Sequence, residues 1–436
     1  MSGLMIAAPA SGSGKTTVTL GLLRALKHRG VALAPGKAGP DYIDPAFHTA
    51  ACGESCLNFD PWAMRDELLL ANAALHVRGG KILIVEAMMG LHDGAADGCG
   101  TPADLAALLG LSVVLVVDCA RMSHSVAALV KGYADFRADL VVAGVILNRV
   151  GSARHEAMLR QALERIAMPV LGGVPACEAL KLPERHLGLV QATEHDDLEG
   201  FIERAARIME ANCDLDRLLM ASRQSPMPVS DANIVRLPPL GQKVAVAKDA
   251  AFAFSYPHML LSWRRRGAEI SFFSPLDDEA PPEDADAIYL PGGYPELHAG
   301  RLVAAERFRT AMQTAAQKGT VIYGECGGYM VLGDSLTDAA NTTHPMLGLL
   351  PVQTSFAMRQ RHLGYRRLTP LTRDIFTRPM TAHEFHYSTL VFEGEAERLF
   401  EAEDALGQPL GPVGLKRGRV AGSYMHLIDL AGEAGA

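Results

Sequence analysis

The chain has 436 residues, 49% hydrophobic and 21% charged, with a formal net charge of −8. That length accommodates two or three domains with sizeable cores, and the acidic balance excludes bulk electrostatic attraction to nucleic acid. No apolar run approaches a bilayer span and the seven scattered cysteines form no disulfide framework, so a cytoplasmic chain with no membrane partner is expected.

Near the start, Leu4-Met5-Ile6-Ala7-Ala8 reads as a buried strand, followed by Pro9-Ala10-Ser11-Gly12-Ser13-Gly14-Lys15-Thr16-Thr17. Val18, Leu20, Leu22, Leu23 and Leu26 then recur at helical spacing. A strand, a small-residue loop and a helix opening on Gly-Lys-Thr read as a phosphate-binding loop, although Pro9 stands where that pattern has its first glycine. Gly12 and Gly14 free backbone N–H groups to face phosphate oxygens, and the helix start adds the positive end of its dipole. Lys15 supplies charge for the terminal phosphates and Thr16 a hydroxyl for Mg²⁺. Gly12, Ser13, Gly14, Lys15, Thr16 and Thr17 are therefore the expected nucleotide-binding set.

After a first apolar run at 4–8, further runs at 31–33, 82–85, 113–117, 141–147 and 170–174 alternate with helical stretches, which predicts a parallel sheet covered on both faces. Ligands of such sheets sit beyond the carboxyl ends of the strands. After the second run come Lys37-Ala38-Gly39-Pro40-Asp41-Tyr42-Ile43-Asp44-Pro45, a loop dense in charge. Asp41 is the expected acid for Mg²⁺, and Lys37 is expected to hold phosphate or the attacked carboxylate; a solvated turn is the alternative. Glu86, directly after the third run, has the placement of a metal-binding acid opposite the phosphate loop. Asn148 closes the fifth run and reads either as an adenine contact or as a turn cap.

A helical stretch over 201–219 and a proline-rich one to about 240 read as a linker, giving a synthetase domain at 1–200, a linker at 201–240 and a second domain at 241–436. The second domain opens with strands again, at 244–247, 270–273, 287–290 and 320–323. Two of its loops carry chemistry. Leu290-Pro291-Gly292-Gly293 is a strand with a glycine turn, and Tyr323-Gly324-Glu325-Cys326-Gly327-Gly328 is a strand-to-helix elbow. An elbow lifts its nucleophile clear of the sheet, and a helix N-terminus lowers a thiol's pKa. An exposed, acidic Cys326 is thus expected, with His426 as its base. The N–H groups of Gly327, Gly292 and Gly293 are the expected oxyanion donors. His383 and His386 form an H-x-x-H pair in a β-like run, but no third metal ligand is evident.

The phosphate loop, the Gly-Pro-Asp-Tyr-Ile-Asp-Pro run, Glu86 with Gly90-Leu91-His92-Asp93-Gly94, and Pro183-Glu184-Arg185-His186-Leu187-Gly188 resemble the synthetase half of the cobyrinic acid a,c-diamide synthases. That half is similar to dethiobiotin synthetase, which activates a carboxyl-type substrate as a phosphate. The elbow, the glycine turn and His426 resemble class I glutamine amidotransferases, with one departure: where many of them carry Glu two residues past the histidine, this chain has Ile428. Asp429 standing in imperfectly, or a bare Cys–His pair, are the two alternatives.

The resemblance implies an α/β chain of two domains, a P-loop NTPase-type parallel sheet and a flavodoxin-like amidotransferase. It implies ATP as co-substrate, Mg²⁺ held by Thr16, Asp41 and Glu86, Lys37 facing the reacting groups, and glutamine and a corrinoid ring acid as substrates. A homodimer stays open. The rivals are cobyric acid synthase, a CTP synthase and, outside the ligases, a P-loop switch or metal-chaperone NTPase.

Overall fold

A computed structural model describes residues 2–180, 184–185, 188–189, 191–224 and 234–432. The chain divides into two compact units, one of 1–62 and 66–234, the other of 63–65 and 235–436.

The first unit runs β1 (Ser2–Ala7), α1 (Lys15–His28), β2 (Leu33–Ala38), α2 (Asp44–Cys52), β3 (Leu57–Phe59), α3 (Asp66–His76), β4 (Ile82–Glu86), α4 (Pro102–Leu109) and β5 (Ser112–Asp118). It continues through α5 (Val126–Asp135), β6 (Val142–Val150), α6 (Ala153–Glu164), β7 (Val170–Pro175), β8 (Glu184–Arg185), β9 (Gly188–Leu189), α7 (Leu198–Asn212), α8 (Leu215–Ala221) and β10 (Arg223–Gln224). Its sheet has the order β3-β2-β4-β1-β5-β6-β7, with parallel neighbours throughout. Strands such as Val113–Val117 are fully buried because helices cover both faces, which is what their unbroken apolar runs require.

The helical stretch expected as linker is instead part of this unit. Gly21 of α1 lets α7 approach so closely that a Cβ there would meet Met209 Cγ at 2.6 Å and the Ala205 carbonyl at 2.8 Å. Arg24 of α1 donates to Glu199 at 2.5 Å and also to Glu203, both on α7, and its Nε donates to the Ala51 carbonyl at 2.7 Å. β10 then adds antiparallel to β1. The amphipathic face of 198–212 therefore finds its partner within the same core rather than spanning a gap. Of the 183–188 motif, Pro183, His186 and Leu187 lie outside the described residues, as does the 225–233 part of the proline-rich stretch.

The second unit contains β11 (Lys243–Ala247), α9 (Pro257–Arg265), β12 (Glu269–Phe273), β13 (Ala287–Leu290), α10 (Ala299–Ala304), α11 (Glu306–Lys318), β14 (Val321–Glu325), α12 (Gly327–Leu332), β15 (Ser335–Thr337), β16 (Thr343–Pro345) and β17 (Val352–Ser355). It ends with β18 (His362–Pro370), β19 (Met380–His386), β20 (Thr389–Glu393), β21 (Glu397–Asp404), β22 (Pro409–Arg417), β23 (Val420–Ser423) and β24 (Met425–Leu430). Its main sheet has the order β12-β11-β13-β14-β23-β22-β21-β18-β19-β24. The β12–β11–β13–β14–β23 stretch is parallel and the remaining neighbours are antiparallel. No helix among the described residues is long and apolar enough to cross a membrane.

Candidate active sites

In the first unit, the loop between β1 and α1 turns through two positive-φ glycines, Gly12 at 77° and Gly14 at 90°. The Asn148 amide donates to the Ser13 carbonyl at 2.8 Å, and a Cβ on Gly14 would fall 2.2 Å from that amide nitrogen. Asn148 is thus a strut that sets the loop, and it also lines the cavity beside it. That cavity, of about 700 Å³, is walled by Gly12, Gly14, Lys15, Thr16, Thr17 and Asn148, with Arg149 and 175–178 opposite. The volume and the loop suit a nucleotide.

At the rim of the phosphate loop, Lys15 Nζ donates to the Met89 carbonyl at 2.6 Å, and burial lowers its pKa. Thr16 Oγ1 donates to Glu86 at 2.8 Å and lies 3.4 Å from Asp44 Oδ2. Lys37, only 3% exposed, sits between the acids, with Nζ 2.5 Å from Asp44 and 3.0 Å from Glu86. His48, on α2, reaches Glu86 Oε2 at 2.6 Å. Burial opposes ionisation of Glu86, yet Lys37 and His48 together pull its carboxyl below the usual range. A hydroxyl and two carboxylates facing one point are hard oxygen donors of the kind Mg²⁺ takes.

Asp41, expected as a Mg²⁺ ligand, is engaged by backbone. Asp41 Oδ1 accepts from the backbone N–H groups of Ile43 and Asp44 at 2.8 and 3.0 Å, so it caps the start of α2. Its other oxygen is 3.7 Å from Lys37. Asp44, one turn further on, is the acid that meets Thr16. Among the loop residues singled out, His92 stacks on Tyr133 at 5.4 Å and Asp93 accepts from the Gly90 N–H at 2.8 Å.

In the second unit, β14 ends at Glu325 and Cys326 occupies a strained left-handed backbone, φ 48° and ψ −104°. The two glycines after it are needed: a Cβ on Gly328 would fall 1.9 Å from the Leu290 carbonyl, and one on Gly327 would fall 3.0 Å from the Gly293 nitrogen. The Gly292–Gly293 turn therefore lies directly against the elbow. A Cβ on Gly292 would meet His426 Cε1 at 2.4 Å, Nε2 at 3.2 Å and Cys326 Cβ at 3.4 Å. Thiol, imidazole and turn thus converge on one small space. His426 lies at the start of β24, fully buried, and burial together with His383 and His386 holds its pKa down at about 3, so the imidazole is neutral.

The expectation of an exposed, acidic thiol is overturned. Cys326 is 4% exposed, and burial pushes its pKa up, with Glu296 adding to the effect. The helix that follows, α12, spans only Gly327–Leu332, and its dipole does not offset desolvation.

Asp429 does not stand in for the missing acid: its Oδ2 accepts from the backbone N–H and Nε of Arg65 at 3.0 and 2.9 Å, within the same unit. As for metal, His386 does gain third-party neighbours, but they are His362 and Glu384 rather than His383. Arg366 already holds Glu384 through Nε and Nη2 at 2.9 and 2.6 Å, and His386 Nε2 reaches the other oxygen at 3.1 Å. The carboxylate is neutralised by a fixed guanidinium, which opposes a second cation there.

Sequence reasoning missed Asp44, His48 and Glu325. The Asp44-Pro45 pair, with proline suited to the first turn of a helix, signals a helix start just after Asp41. Nothing local marks His48.

Residues 4–190 match a family model described as the CobQ/CobB/MinD/ParA nucleotide binding domain. Residues 243–434 match a model described as the CobB/CobQ-like glutamine amidotransferase domain. Fold and sites together define a glutamine-dependent amidotransferase with its own nucleotide-binding domain. Over 434 residues, 100% of each chain to the nearest per cent, the sequence is 68% identical to a hydrogenobyrinate a,c-diamide synthase of Sinorhizobium sp. It is 65% identical to the Rhizobium meliloti protein of that name, over 99% of this chain and 100% of the relative. The Mesorhizobium japonicum protein of that name is 49% identical over 98% of each. The chain belongs to the hydrogenobyrinate a,c-diamide synthase family, which sets aside the CTP synthase, cobyric acid synthase and P-loop switch readings.

Proposed function

We propose that the protein amidates the a and c carboxylates of hydrogenobyrinic acid, a step of cobalamin biosynthesis, using ammonia from glutamine and energy from ATP. The observation that carries this reading is the full-length likeness to synthases of that name. In the glutaminase site, the Cys326 thiol gives its proton to His426 Nε2 while sulfur attacks the glutamine carboxamide carbon. The N–H groups of Gly327 and the Gly292–Gly293 turn face the oxygen on which negative charge develops. The carbon–nitrogen bond then breaks, ammonia leaves with the proton from His426, and water hydrolyses the thioester to glutamate.

In the synthetase site, the glycine loop and Lys15 hold the triphosphate, and the ring carboxylate takes the terminal phosphoryl group. A free carboxylate has no leaving group, so ammonia attacks only after that transfer and expels phosphate. Thr16, Asp44 and Glu86 would hold Mg²⁺, which supplies charge neutralisation to the phosphates when bound. Lys37 keeps the two acids close together by offsetting their mutual repulsion.

The test is direct. Full-length protein is incubated with ATP, glutamine and the ring acid, with and without cobalt, and the products are weighed by mass spectrometry. The expected product is the diamide of the cobalt-free ring, with two oxygens replaced by two NH groups. Glutamine hydrolysis without any amidated ring would overturn the assignment.

A further inference from the structure

We infer that Glu325, the residue immediately before the nucleophile, is the carboxylate that orients His426. The inference rests on the Cys326–His426 glutaminase reading above. In triad amidotransferases an acid two residues past the histidine does this work, and here that position is Ile428, whose buried side chain is apolar and whose carbonyl accepts from His258 at 3.0 Å. The next residue, Asp429, is committed to Arg65. Glu384 is committed to Arg366 and His386. Glu325 approaches from the opposite direction in sequence but arrives at the right atom: its Oε2 is 3.8 Å from His426 Nδ1, and both side chains are 1% exposed.

The carboxylate is itself held in place. Tyr289, on the neighbouring strand β13, donates its hydroxyl to Oε2 at 2.6 Å. The Leu427 N–H, one residue after the base, donates to Oε1 at 3.2 Å. With Nδ1 on the Glu325 side, Nε2 is the nitrogen near the Gly292 turn where Cys326 also lies. That is the division of labour a base needs: one nitrogen anchored, the other presented to the nucleophile. When the thiol proton moves to Nε2, an imidazolium forms in a fully buried pocket, and Glu325, once ionised, stabilises it from beside Nδ1. Glu325 keeps its charge through the step and takes no proton. The 3.8 Å separation is a free-protein distance, and contacts of this kind shorten when substrate binds.

A pH signature follows. Burial pushes the Glu325 carboxyl up to about 8. The titratable groups that face it do not change charge there: Tyr289 and Tyr323 are pushed well above the ordinary tyrosine range, burial raises Cys326 as well, and His426 is held near 3. Glutamine hydrolysis should therefore rise as pH passes through about 8, where Glu325 ionises and its support for the imidazolium begins.

The experiment compares wild type, Glu325→Gln and Glu325→Asp in the full chain, measuring glutamine hydrolysis against pH and, separately, synthesis driven by ammonium. For Glu325→Gln, kcat should fall by about 10²-fold with KM and ammonium-driven synthesis held within about twofold, and the rise near pH 8 should vanish. Glu325→Asp, which keeps the charge, should recover part of kcat and keep a pH-dependent rise. An unchanged kcat or a retained rise in Glu325→Gln overturns the proposal, as does a parallel fall in ammonium-driven synthesis, which would make the residue structural. Cys326→Ala is the separate arm: hydrolysis surviving there brings down the glutaminase reading itself. A dead Cys326→Ala beside a normal Glu325→Gln removes only the role of Glu325.

Discussion

Lys37 in the first unit is 3% exposed and His426 in the second is fully buried, yet their surroundings treat charge in opposite ways. Around Lys37 the groups are paired ion to ion: the ammonium holds Glu86 ionised and also meets Asp44, whose carboxyl burial and Asp41 push up to about 7, with the Thr16 hydroxyl within reach. Around His426 the groups are kept neutral: the imidazole pKa is depressed, and those of the thiol and of Glu325 are raised. The contrast matches what each centre must handle. A triphosphate and its metal bring charge with them, so the pocket must already hold ions. Glutamine's carboxamide is neutral, and charge appears there only in transit. Burying a charge is tolerable only when it is paired, whereas a neutral nucleophile and base can be buried at little cost.

The sharpest way to break this comparison is to disable each centre and change the nitrogen donor. Cys326→Ala should lower glutamine-driven synthesis by at least about 10⁴-fold and leave ammonium-driven synthesis within about twofold. Lys15→Ala should depress both by about 10²- to 10³-fold, because the phosphate cradle serves either donor. Initial rates with the two donors read this out, and a Cys326→Ala enzyme that lost both donors alike, or a Lys15→Ala enzyme that lost only one, would end the two-centre account.

A smaller effect distinguishes the two acids of the loop before α2. Asp44→Asn should cost about 10²-fold in synthesis and raise the Mg²⁺ concentration needed for half-maximal rate. Asp41→Ala should instead cost about 1 kcal/mol of stability through the lost cap, seen in a denaturant titration, with activity largely kept. Reversal of that order would restore Asp41 as the ligand.

The smallest test concerns neutral burial. His258 is fully enclosed and held near a pKa of about 4, against an ordinary 6.5. Below 6.5 the unfolded chain takes up a proton there that the folded chain refuses, so wild type loses stability as pH falls. His258→Gln removes that loss. The stability gap between wild type and variant should shift by about 2 kcal/mol in the variant's favour between about pH 6.5 and about pH 5. The difference is the quantity to read, since Glu325 and Glu296, with raised pKa values of about 8 and about 7, act in the opposite sense in both proteins. A constant gap would mean that His258 is not neutral when buried.

What could be read from the sequence was whatever the chain encodes within one loop. The phosphate loop, the Gly-x-Cys-x-Gly elbow and the alternation of apolar runs with helices are fixed by local spacing, and each appears where the spacing puts it. Residues that depend on a partner far along the chain were misread. Asp41 and Asp44 share a loop and a charge, and only the entry angle of α2 decides which one caps and which one faces Thr16. Cys326 has the flanks of an exposed nucleophile, but β19 and the Gly292 turn pack over it and reverse the sign of its pKa shift. Glu325 looks like an ordinary strand residue until β24 brings Nδ1 of His426 alongside. The amphipathic helix at 198–212 was legible as a helix, while its partner, α1, lies nearly two hundred residues earlier.

The ion pair between Arg65 and Asp429 bears on how such chains evolve by shuffling. Its carboxylate is sealed from water and its guanidinium is donated by a three-residue stretch, 63–65, encoded deep inside the other half of the gene. An amidotransferase half transplanted as a cassette from residue 235 onward would carry a sealed acid and leave its counter-ion behind. Exchange between lineages therefore favours inheritance of the two halves together, which gives the gene a reason to stay whole that is separate from any need to pass ammonia along.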